Sequence, residues 1–381
     1  MTWRNTTVEN ARFDFIQEAL NPNTQLTFRE LCEKYNVSPK TGYKWFDRFQ
    51  EGGISGLKDQ SKARLTHPEK ISDDVERYIV ALRKEYPTWG PKKIHALMVY
   101  REASAPSVGS IGNVLKKNDL SKPRHFRRHV AMTSPLSHCK ESNDVWQYDF
   151  KGHFKTGNGE ICEPLTITDG HSRYLLKCIH MARKRGIDVW PILKELFLEY
   201  GLPLRIRSDN GPPFATTGVG RLSGLAIKII KAGVTPEWIE PGCPQENGRH
   251  ERFHLTLKNE TASPPALSLS LQKKKMEQFE KYYNTVRPHE ALGFAVPGSV
   301  YQRSPRQWDG VLRSPEYDDG YEVRKVCKGG NISWNGQTYF LSETLCGEYV
   351  GIKEIGLGVM DVVYGPIILG RIDLNKGFRR L

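Results

Sequence analysis

The sequence has 381 residues, enough for about two to four domains of ordinary size. Its 56 Lys and Arg residues outnumber its 43 Asp and Glu residues and give a net charge of +13. This surplus favours a polyanion as the partner, with nucleic acid as the first candidate. No apolar run approaches the roughly 18 residues that cross a bilayer, and the first residues have no signal-peptide pattern. We therefore expect a folded protein that does not associate with a membrane.

Residues 1–55 have the pattern of a helix-turn-helix domain. An apolar stripe predicts a first helix over residues 8–20. Thr27, with Glu three positions later, fits the capping box that opens a second helix. Ser38 followed by Pro39 is a strong start signal for a third helix, which ends at a Gly-Gly pair.

The third helix offers polar side chains on one side while its aromatic residues supply an apolar side. Such a division suits a helix that lies in the major groove of DNA. An ordinary helical hairpin with solvated lysines explains the pattern equally well. The candidate DNA contacts on this helix are Lys40, Thr41, Lys44 and Arg48.

Residues 68–120 look like a second helix-turn-helix module, with Ser72 and Ser107 as helix starts. A basic linker, residues 121–139, follows this module. Such a run is usually solvated, but after a DNA reader it can also follow a phosphate backbone. The candidate DNA contacts in this part of the chain are Lys116, Lys117, Arg124, Arg127 and Arg128.

Residues 140–310 change to a strand-rich pattern. Residues 145–154 alternate apolar and polar side chains, which predicts a half-buried strand with Asp149 on its polar side. Two more strands precede an alternation of helices and strands, and this order predicts a mixed sheet covered by helices. The predicted elements are strands near 163–168, 174–179, 204–207 and 235–239, and helices near 187–200, 220–232 and from about 245.

Residues 320–381 consist mainly of β-rich runs. Asn335 and Gly336 stand between two of them, the strongest short signal for a hairpin. Three later runs of the same kind complete a small all-β domain. A barrel or a sandwich fits these runs, and we expect the barrel. The predicted fold class is therefore multidomain: all-α helix-turn-helix domains, an α/β mixed-sheet core and a small all-β C-terminal domain.

Three carboxylates lie on elements that a mixed sheet brings to one edge. Asp149 is in the first strand, Asp209 closes the fourth, and Glu251 begins the helix after a proline-rich loop. Oxygen ligands from distant segments suit Mg²⁺ or Mn²⁺, and a pair of such ions can activate an oxygen nucleophile against a phosphodiester. Taken singly, the three have ordinary alternatives: a solvated strand residue, a turn residue and a surface charge.

Four stretches resemble known recombination enzymes. Residues 146–150 (WQYDF), 208–214 (SDNGPPF) and 244–254 (PQENGRHERFH) look like the three signatures of the retroviral-integrase-type DDE core. Residues 283–293 (YNTVRPHEALG) resemble a helix-end motif of bacterial insertion-sequence transposases. The resemblance covers residues 140–310, and the helical front and β tail follow the order of parts in such transposases.

The resemblance implies an RNase H-like core in which Asp149, Asp209 and Glu251 are the catalytic triad and bind two Mg²⁺ or Mn²⁺ ions. The spacing between positions 209 and 251 is 42, longer than is usual in such cores, and Glu246 fits the usual spacing better. We prefer Glu251 because the frame from Gly248 to Glu251 matches the motif.

Three other positions in the core receive more modest expectations. Lys258 lies two helical turns after Glu251 on the same face, so it is a candidate contact to the DNA end, with a solvated lysine as an equal alternative. Arg287 and His289 are expected to order the far helix against the core. Asp169 is expected to be a turn residue.

The function implied by the resemblance is that of a DNA transposase, a Mg-dependent polynucleotidyl transferase. It binds the terminal inverted repeats of its insertion sequence, cleaves at the transposon ends and transfers the 3′-OH strand to target DNA. Its partners are then double-stranded DNA and a homodimer or larger assembly on DNA, with no small-molecule substrate. The seven scattered cysteines fit reduced thiols in a cytoplasm, and the resemblance implies a bacterial, nucleoid-associated protein. A DNA-binding regulator with a vestigial core and a plain RNase H-like nuclease are the alternatives.

Overall fold

The computed structural model describes residues 7–60, 71–101, 103–121, 138–240, 248–356, 358–374 and 376–381. The chain divides into two compact units, Met1–Lys70 and Ile71–Leu381. Within the described ranges, no helix is long and apolar enough to span a bilayer.

The described part of the first unit is helical. The Thr27 hydroxyl accepts the N–H of Glu30, whose carboxylate accepts the N–H of Thr27, so the predicted capping box is confirmed. Gly42 lets the third helix approach the second closely, since a Cβ at this position would lie 2.6 Å from Sγ of Cys32. The helices are α1 (Val8–Ala19), α2 (Phe28–Lys34) and α3 (Pro39–Gly52).

The second unit begins with a helical module whose caps agree with the sequence. The Ser72 and Ser107 hydroxyls each accept the N–H of the residue three positions later. Trp89, fully buried in this module, stacks with Tyr282, which lies within residues 140–310, at a centroid distance of 6.3 Å. The helices are α4 (Asp73–Glu85), α5 (Pro91–Tyr100) and α6 (Val108–Lys117).

A mixed five-stranded sheet forms the centre of the second unit, as predicted. The strand order is β5-β4-β1-β6-β7, with β1 antiparallel to β4 and parallel to β6. The first strand ends at Phe150 instead of the predicted position 154, because Gly152 takes a positive φ of 84° that leaves the strand conformation. The strands are β1 (Val145–Phe150), β4 (Pro164–Asp169), β5 (Leu175–His180), β6 (Arg205–Ser208) and β7 (Thr235–Trp238), with a separate hairpin of β2 (Phe154–Lys155) and β3 (Ile161–Cys162).

Helices cover both faces of this sheet. Two of them pack with Trp146, Leu165 and Ile206 in the main apolar core. Two others pack with Leu175 and Cys178 in a second core on the opposite side. The first pair is α7 (Gly186–Tyr200) and α8 (Gly224–Lys231), the second pair is α9 (Gly248–Thr261) and α10 (Leu269–Thr285), and a short α11 (Pro297–Val300) follows.

The C-terminal strands form an antiparallel sheet that shares a hydrophobic core with α8. The hairpin predicted at Asn335-Gly336 is confirmed, and both residues have positive φ, 48° and 72°, as a tight I′-type turn requires. The strands pair as an open five-stranded sheet, β14-β13-β12-β11-β8, and a hairpin, β9-β10, where a barrel was predicted. The hairpin places Trp334 and Tyr339 in the apolar core beneath the five-stranded sheet. This face of the sheet is therefore covered although its first and last strands do not pair to close a barrel. The strands are β8 (Glu322–Lys325), β9 (Asn331–Trp334), β10 (Gln337–Phe340), β11 (Tyr349–Gly356), β12 (Val359–Tyr364), β13 (Ile367–Asp373) and β14 (Gly377–Arg380).

Candidate active site

The register of β1 with its two neighbours sets the position of the first two carboxylates. Asp149 pairs with Thr166 of β4, and Gln147 pairs with Arg207 of β6. The β1–β6 pairing ends at Gln147 and Arg207, and Asp149 and Asp209 each lie two residues further along, with Asp209 directly after β6. Neighbouring strands lie about 4.8 Å apart, and residues at one level of a parallel pair point to the same face. A register continued by two residues sets Asp149 and Asp209 at one edge of the sheet.

The polar face of β1 is covered by α9. Gln147, on the side that the alternation assigns to solvent, is only 3% exposed. His250 of α9 hydrogen-bonds Thr168, the residue opposite Gln147 in the register. The expected half-buried strand is thus buried on both faces at this point, because a helix with polar side chains lies over its polar face.

One hydroxyl joins α9 to β1 and β4. The Thr166 Oγ1 lies 2.8 Å from Nε2 of His250 and 2.9 Å from Nε2 of His254. The same hydroxyl donates to the backbone carbonyl of Asp149 at 3.2 Å. The Thr168 Oγ1 lies 3.2 Å from Nδ1 of His250. These bonds link the first turns of α9 directly to the strand that carries Asp149.

Both imidazoles of this network are neutral at pH 7. Burial lowers the pKa of His250 well below its ordinary value, and the neighbouring His254 adds to the effect. Burial also lowers the pKa of His254 to about 4, with a further contribution from the Lys151 ammonium. We assign the proton of each ring to Nε2, since the Thr166 hydroxyl then accepts two N–H groups and keeps its own proton for the carbonyl.

The turn after β6 holds Asp209 in place. An oxygen of its carboxylate accepts the N–H of Gly211 at 3.1 Å. The Asn210 side chain donates to the Ile239 carbonyl at 2.7 Å and accepts from the Arg221 guanidinium at 3.0 Å. The segment is therefore an ordered turn that leaves the Asp209 carboxylate only partly buried.

The potential metal ligands differ in how closely they approach one another. One atom each of Asp149, His250 and His254 lies within 4.8 Å of the other two. Asp209 and Glu251 are outside this group, and Glu251 is exposed on α9 directly after His250. Of the predicted triad, Asp149 and Asp209 lie at the ends of neighbouring strands, and α9 carries Glu251 on its exposed side beside the residue that contacts β4.

Two lysines add positive charge beside these residues. Lys258 is exposed two turns after Glu251. Lys151 directly follows β1, and its pKa is lowered by burial and by the ammonium of Lys258. Two cations close enough to depress ionisation favour an anion, such as a phosphate, between or beside them.

The remaining core positions have structural contacts. Arg287 forms a buried ion pair with Glu260 of α9, which ties the end of α10 to that helix. His289 lies edge-on to Tyr283 at a centroid distance of 4.8 Å. Asp169 is 1% exposed and accepts the N–H and hydroxyl of the serine three positions later, so its contacts are those of a turn residue.

The four candidate DNA contacts of α3 differ in whether other residues already hold their side chains. Lys40 and Lys44 are exposed. The Thr41 hydroxyl hydrogen-bonds Ser38 at 2.9 Å, and the Arg48 guanidinium donates to a glutamine and lies over a tryptophan ring. The Lys44 ammonium lies over the same tryptophan ring at 4.8 Å. Lys40 and Lys44 are the two exposed candidates of α3 and are available to DNA.

The second group of candidate contacts is only partly described. Lys116 is exposed, and Lys117 pairs with Glu76 at 3.0 Å. The positions that lie outside the described residues are Arg124, Arg127, Arg128 and the alternative acid Glu246.

Sequence reasoning missed Thr166, His250 and His254. The available signal was the spacing of four between the two histidines, which places both side chains on one face of a helix. Thr166 gave no signal of its own, because a threonine within a strand is ordinary.

Family comparisons assign the regions along the chain. The Helix-turn-helix domain matches residues 14–64, and the Homeodomain-like domain matches residues 41–115. The Integrase core domain matches in two pieces, residues 140–244 and 232–297.

Curated relatives come from bacterial insertion elements. The chain is 27% identical over 252 residues to the insertion element IS476 uncharacterized 39.2 kDa protein of Xanthomonas euvesicatoria, covering 64% of this chain and 69% of that protein. It is 24% identical over 236 residues to the insertion element IS407 uncharacterized 31.7 kDa protein of Burkholderia multivorans, covering 60% and 81%.

Similar solved structures come from retroviruses. The HTLV-2 integrase catalytic core domain, solved in complex with magnesium, is 15% identical with a TM-score of 0.34 and covers 43% of this chain and 100% of that chain. A chain of the simian T-cell lymphotropic virus intasome in complex with PP2A regulatory subunit B56 gamma is 15% identical with a TM-score of 0.37, covering 76% and 97%.

By class, the protein is therefore a transposase. It has helix-turn-helix DNA-binding domains and an integrase core, which is the catalytic core of a polynucleotidyl transferase. It is similar to the IS476 and IS407 insertion-element proteins and carries the integrase core domain over residues 140–297. The predicted fold class, with helical helix-turn-helix regions, an integrase-type mixed-sheet core and an antiparallel C-terminal sheet, is confirmed.

Proposed function

We propose that this protein binds the terminal inverted repeats of its insertion sequence, cleaves the phosphodiester at each transposon end and joins the freed 3′-OH to target DNA. Asp149, Asp209 and Glu251 are the catalytic carboxylates. The observation that supports the proposal is the parallel pairing of β1 with β6, which ends at Gln147 and Arg207, two residues before Asp149 and Asp209. The helix that carries Glu251 is hydrogen-bonded to the neighbouring strand β4.

The donor set fits a hard divalent cation. Two carboxylates from neighbouring strands and one from a helix offer the oxygen ligands that Mg²⁺ or Mn²⁺ prefers, and two ions can share such ligands. When bound, a pair of ions activates the attacking oxygen and stabilises the leaving oxygen of a phosphodiester.

The side chains around the carboxylates orient the DNA. Lys258, with Lys151 beside it, binds the phosphates at the transposon end, since both cations lie near the carboxylate edge. Water is the nucleophile for cleavage, and the freed 3′-OH is the nucleophile for joining. No side chain forms a covalent intermediate with DNA.

The test compares carboxylate variants on a duplex that carries the element's end sequence. Asp149→Asn, Asp209→Asn and Glu251→Gln should each reduce Mg²⁺-dependent cleavage and joining by at least about 100-fold, because each removes a charged ligand. Glu195→Gln, at an exposed glutamate of α7, is the matched control and should leave cleavage unchanged. Full activity in all three variants would contradict these roles. A parent protein that binds the ends but does not cleave them would favour the alternative function, a DNA-binding regulator with a vestigial core.

Recognition of the ends is assigned to the helical regions, with α3 as the reading helix. Lys40→Ala with Lys44→Ala should lower the preference for end sequence over unrelated duplex by roughly 10-fold or more. Lys58→Ala, at an exposed lysine outside α3, is the control. The measurement is competition binding at fixed salt, and an unchanged preference in the double variant would remove α3 from end recognition.

Two transposon ends have to be held together during joining, so we propose a homodimer or larger assembly on DNA. Double-stranded DNA, as transposon ends and as target, is the substrate in both steps.

A further inference from the structure

We propose that Thr166 is a positioning residue for the catalytic carboxylates. Its hydroxyl, held by His250 and His254, sets the first turns of α9 against β1 and so fixes Glu251 relative to Asp149. This inference rests on the proposed function, because it assigns the network to the same carboxylates.

The hydrogen-bonding capacity of the Thr166 hydroxyl is fully used. It accepts the Nε2–H groups of His250 and His254 at 2.8 and 2.9 Å and donates to the Asp149 carbonyl at 3.2 Å. Thr168 completes the chain of bonds through the other ring nitrogen of His250. An oxygen with two lone pairs and one proton can make no further strong bonds, so the arrangement has a single favourable geometry.

The place of this oxygen in the fold gives it a role beyond cohesion. Thr166 lies directly opposite Asp149 in the β1–β4 register. His250 immediately precedes Glu251, and His254 is on the next turn of the same helix. One atom therefore connects the backbone that carries the first carboxylate to the helix that carries the third.

A zinc site is the competing use of this cluster, since two histidines four apart on a helix and a nearby carboxylate are common zinc ligands. Here the point on which both Nε2 atoms converge is occupied by the Thr166 oxygen. Zinc binds imidazole nitrogen at about 2.0–2.1 Å, whereas the atom that both Nε2 atoms face here is the Thr166 oxygen at hydrogen-bond distance, 2.8 and 2.9 Å. The cluster of Thr166, His250 and His254 is therefore a hydrogen-bonded link between α9 and the sheet, which we call the clasp.

The test compares Thr166→Val, which keeps the shape and loses the hydroxyl, with Thr166→Ser, which keeps the hydroxyl. Mn²⁺ binding to the full-length protein is measured by electron paramagnetic resonance of the free ion, without DNA. Thr166→Val should bind Mn²⁺ at least about 10-fold more weakly than the parent, and Thr166→Ser should stay within about 2-fold, since loss of an outer hydrogen-bond partner costs 10–100-fold in metal affinity. His254→Leu, which removes one of the two donors, should fall between them and serves if Thr166→Val does not fold.

Asn284→Ala is the control for loss of stability alone. Asn284 is a buried residue that ties α10 to both backbone groups of Leu175 on the edge strand. This variant should melt at a lower temperature, as Thr166→Val should, but its Mn²⁺ affinity should match that of the parent. Equal Mn²⁺ affinity in Thr166→Val and the parent would overturn the positioning role.

The failure of this inference is distinguishable from failure of the proposed function. If Asp149→Asn binds Mn²⁺ as tightly as the parent, the carboxylate assignment is wrong. If Asp149→Asn weakens binding and Thr166→Val does not, only the positioning role is wrong. Tight stoichiometric Zn²⁺ binding that is lost in His254→Leu would identify the cluster as a zinc site and also overturn the clasp.

Discussion

The two faces of the core sheet are built for different purposes. The face under α7 is apolar, and Trp146, Leu165, Ile206 and Phe197 are fully buried there. The face under α9 carries threonines, carboxylates and imidazoles, with His250 bonded to the strands through both ring nitrogens.

The contrast separates stability from chemistry. Apolar burial contributes roughly 25 cal/mol per Å², so the first face supplies the cohesion of the sheet. Buried polar groups contribute little net stability and cost free energy when a partner is missing, but they define geometry closely. The part of the face under α9 that lies over β1 and β4 can therefore hold partly buried carboxylates, because the core under α7 and the second apolar core beside β5 hold the domain together.

The largest expected effect of breaking this contrast is at Phe197. Phe197→Ala should lower the free energy of unfolding by about 3–5 kcal/mol, because the ring contacts Trp146 and Trp308 with no exposure. Asp149→Asn on the other face should change it by less than about 1 kcal/mol. Urea unfolding followed by tryptophan fluorescence measures both. Leu198→Ala, at the exposed neighbouring position, is the control, and a cost for Asp149→Asn as large as that for Phe197→Ala would remove the distinction.

A smaller effect comes from Glu280, which belongs to the helical layer on the polar side. Its carboxylate accepts the N–H of Cys178 on the sheet edge, and burial raises its pKa to about 7. Between about pH 4.5 and pH 7 the unfolded chain loses this proton while the folded chain keeps it, so stability falls as pH rises. We expect the parent to lose on the order of 2–3 kcal/mol across this window through Glu280.

Glu280→Gln should remove that part of the pH dependence and be more stable than the parent at pH 8, because the amide keeps the hydrogen bond without charge. Melting temperatures from pH 4 to pH 8 measure the difference. Glu277→Gln, at an exposed glutamate one turn earlier, should follow the parent. A Glu280→Gln curve parallel to the parent's would show that Glu280 titrates normally.

The smallest effect concerns the exposed rim of the polar face. Lys258→Gln should weaken binding of end duplex several-fold and reduce the slope of log affinity against log salt by about one, as loss of a phosphate contact does. Stability should not change, because the side chain is exposed. Lys274→Gln, at an exposed lysine of α10, is the control. Equal salt slopes for the Lys258 variant and the parent would show that this lysine does not contact DNA.

The sequence predicts most of this fold because its signals are local. Ser38, Ser72 and Ser107 each cap a helix as expected, and Asn335-Gly336 forms its hairpin. The open C-terminal sheet was not predictable, since closure depends on how the hairpin packs against residues of α8 far away in the chain. The helix α10 was represented in the sequence analysis only by its end motif, because its many lysines weaken the apolar stripe.

The candidate site was predictable only in part. Asp149 and Asp209 follow from strand ends, and the register pairs Gln147 with Arg207, the residues two positions before each of them. The burial of Gln147 and the clasp at Thr166 could not be predicted, because they depend on the packing of α9 over the polar face. Alternation along a strand shows which face is polar but not whether a helix covers it.

The central claim is that Asp149, Asp209 and Glu251 hold divalent cations against a DNA end. A structure of the protein with an end duplex and Mn²⁺, with the ions located by anomalous scattering, tests it most directly. The account predicts peaks bounded by the oxygens of these three carboxylates and a phosphate. Peaks held by His250 and His254 with Glu251 turned away, or no peak at Asp149, would contradict it.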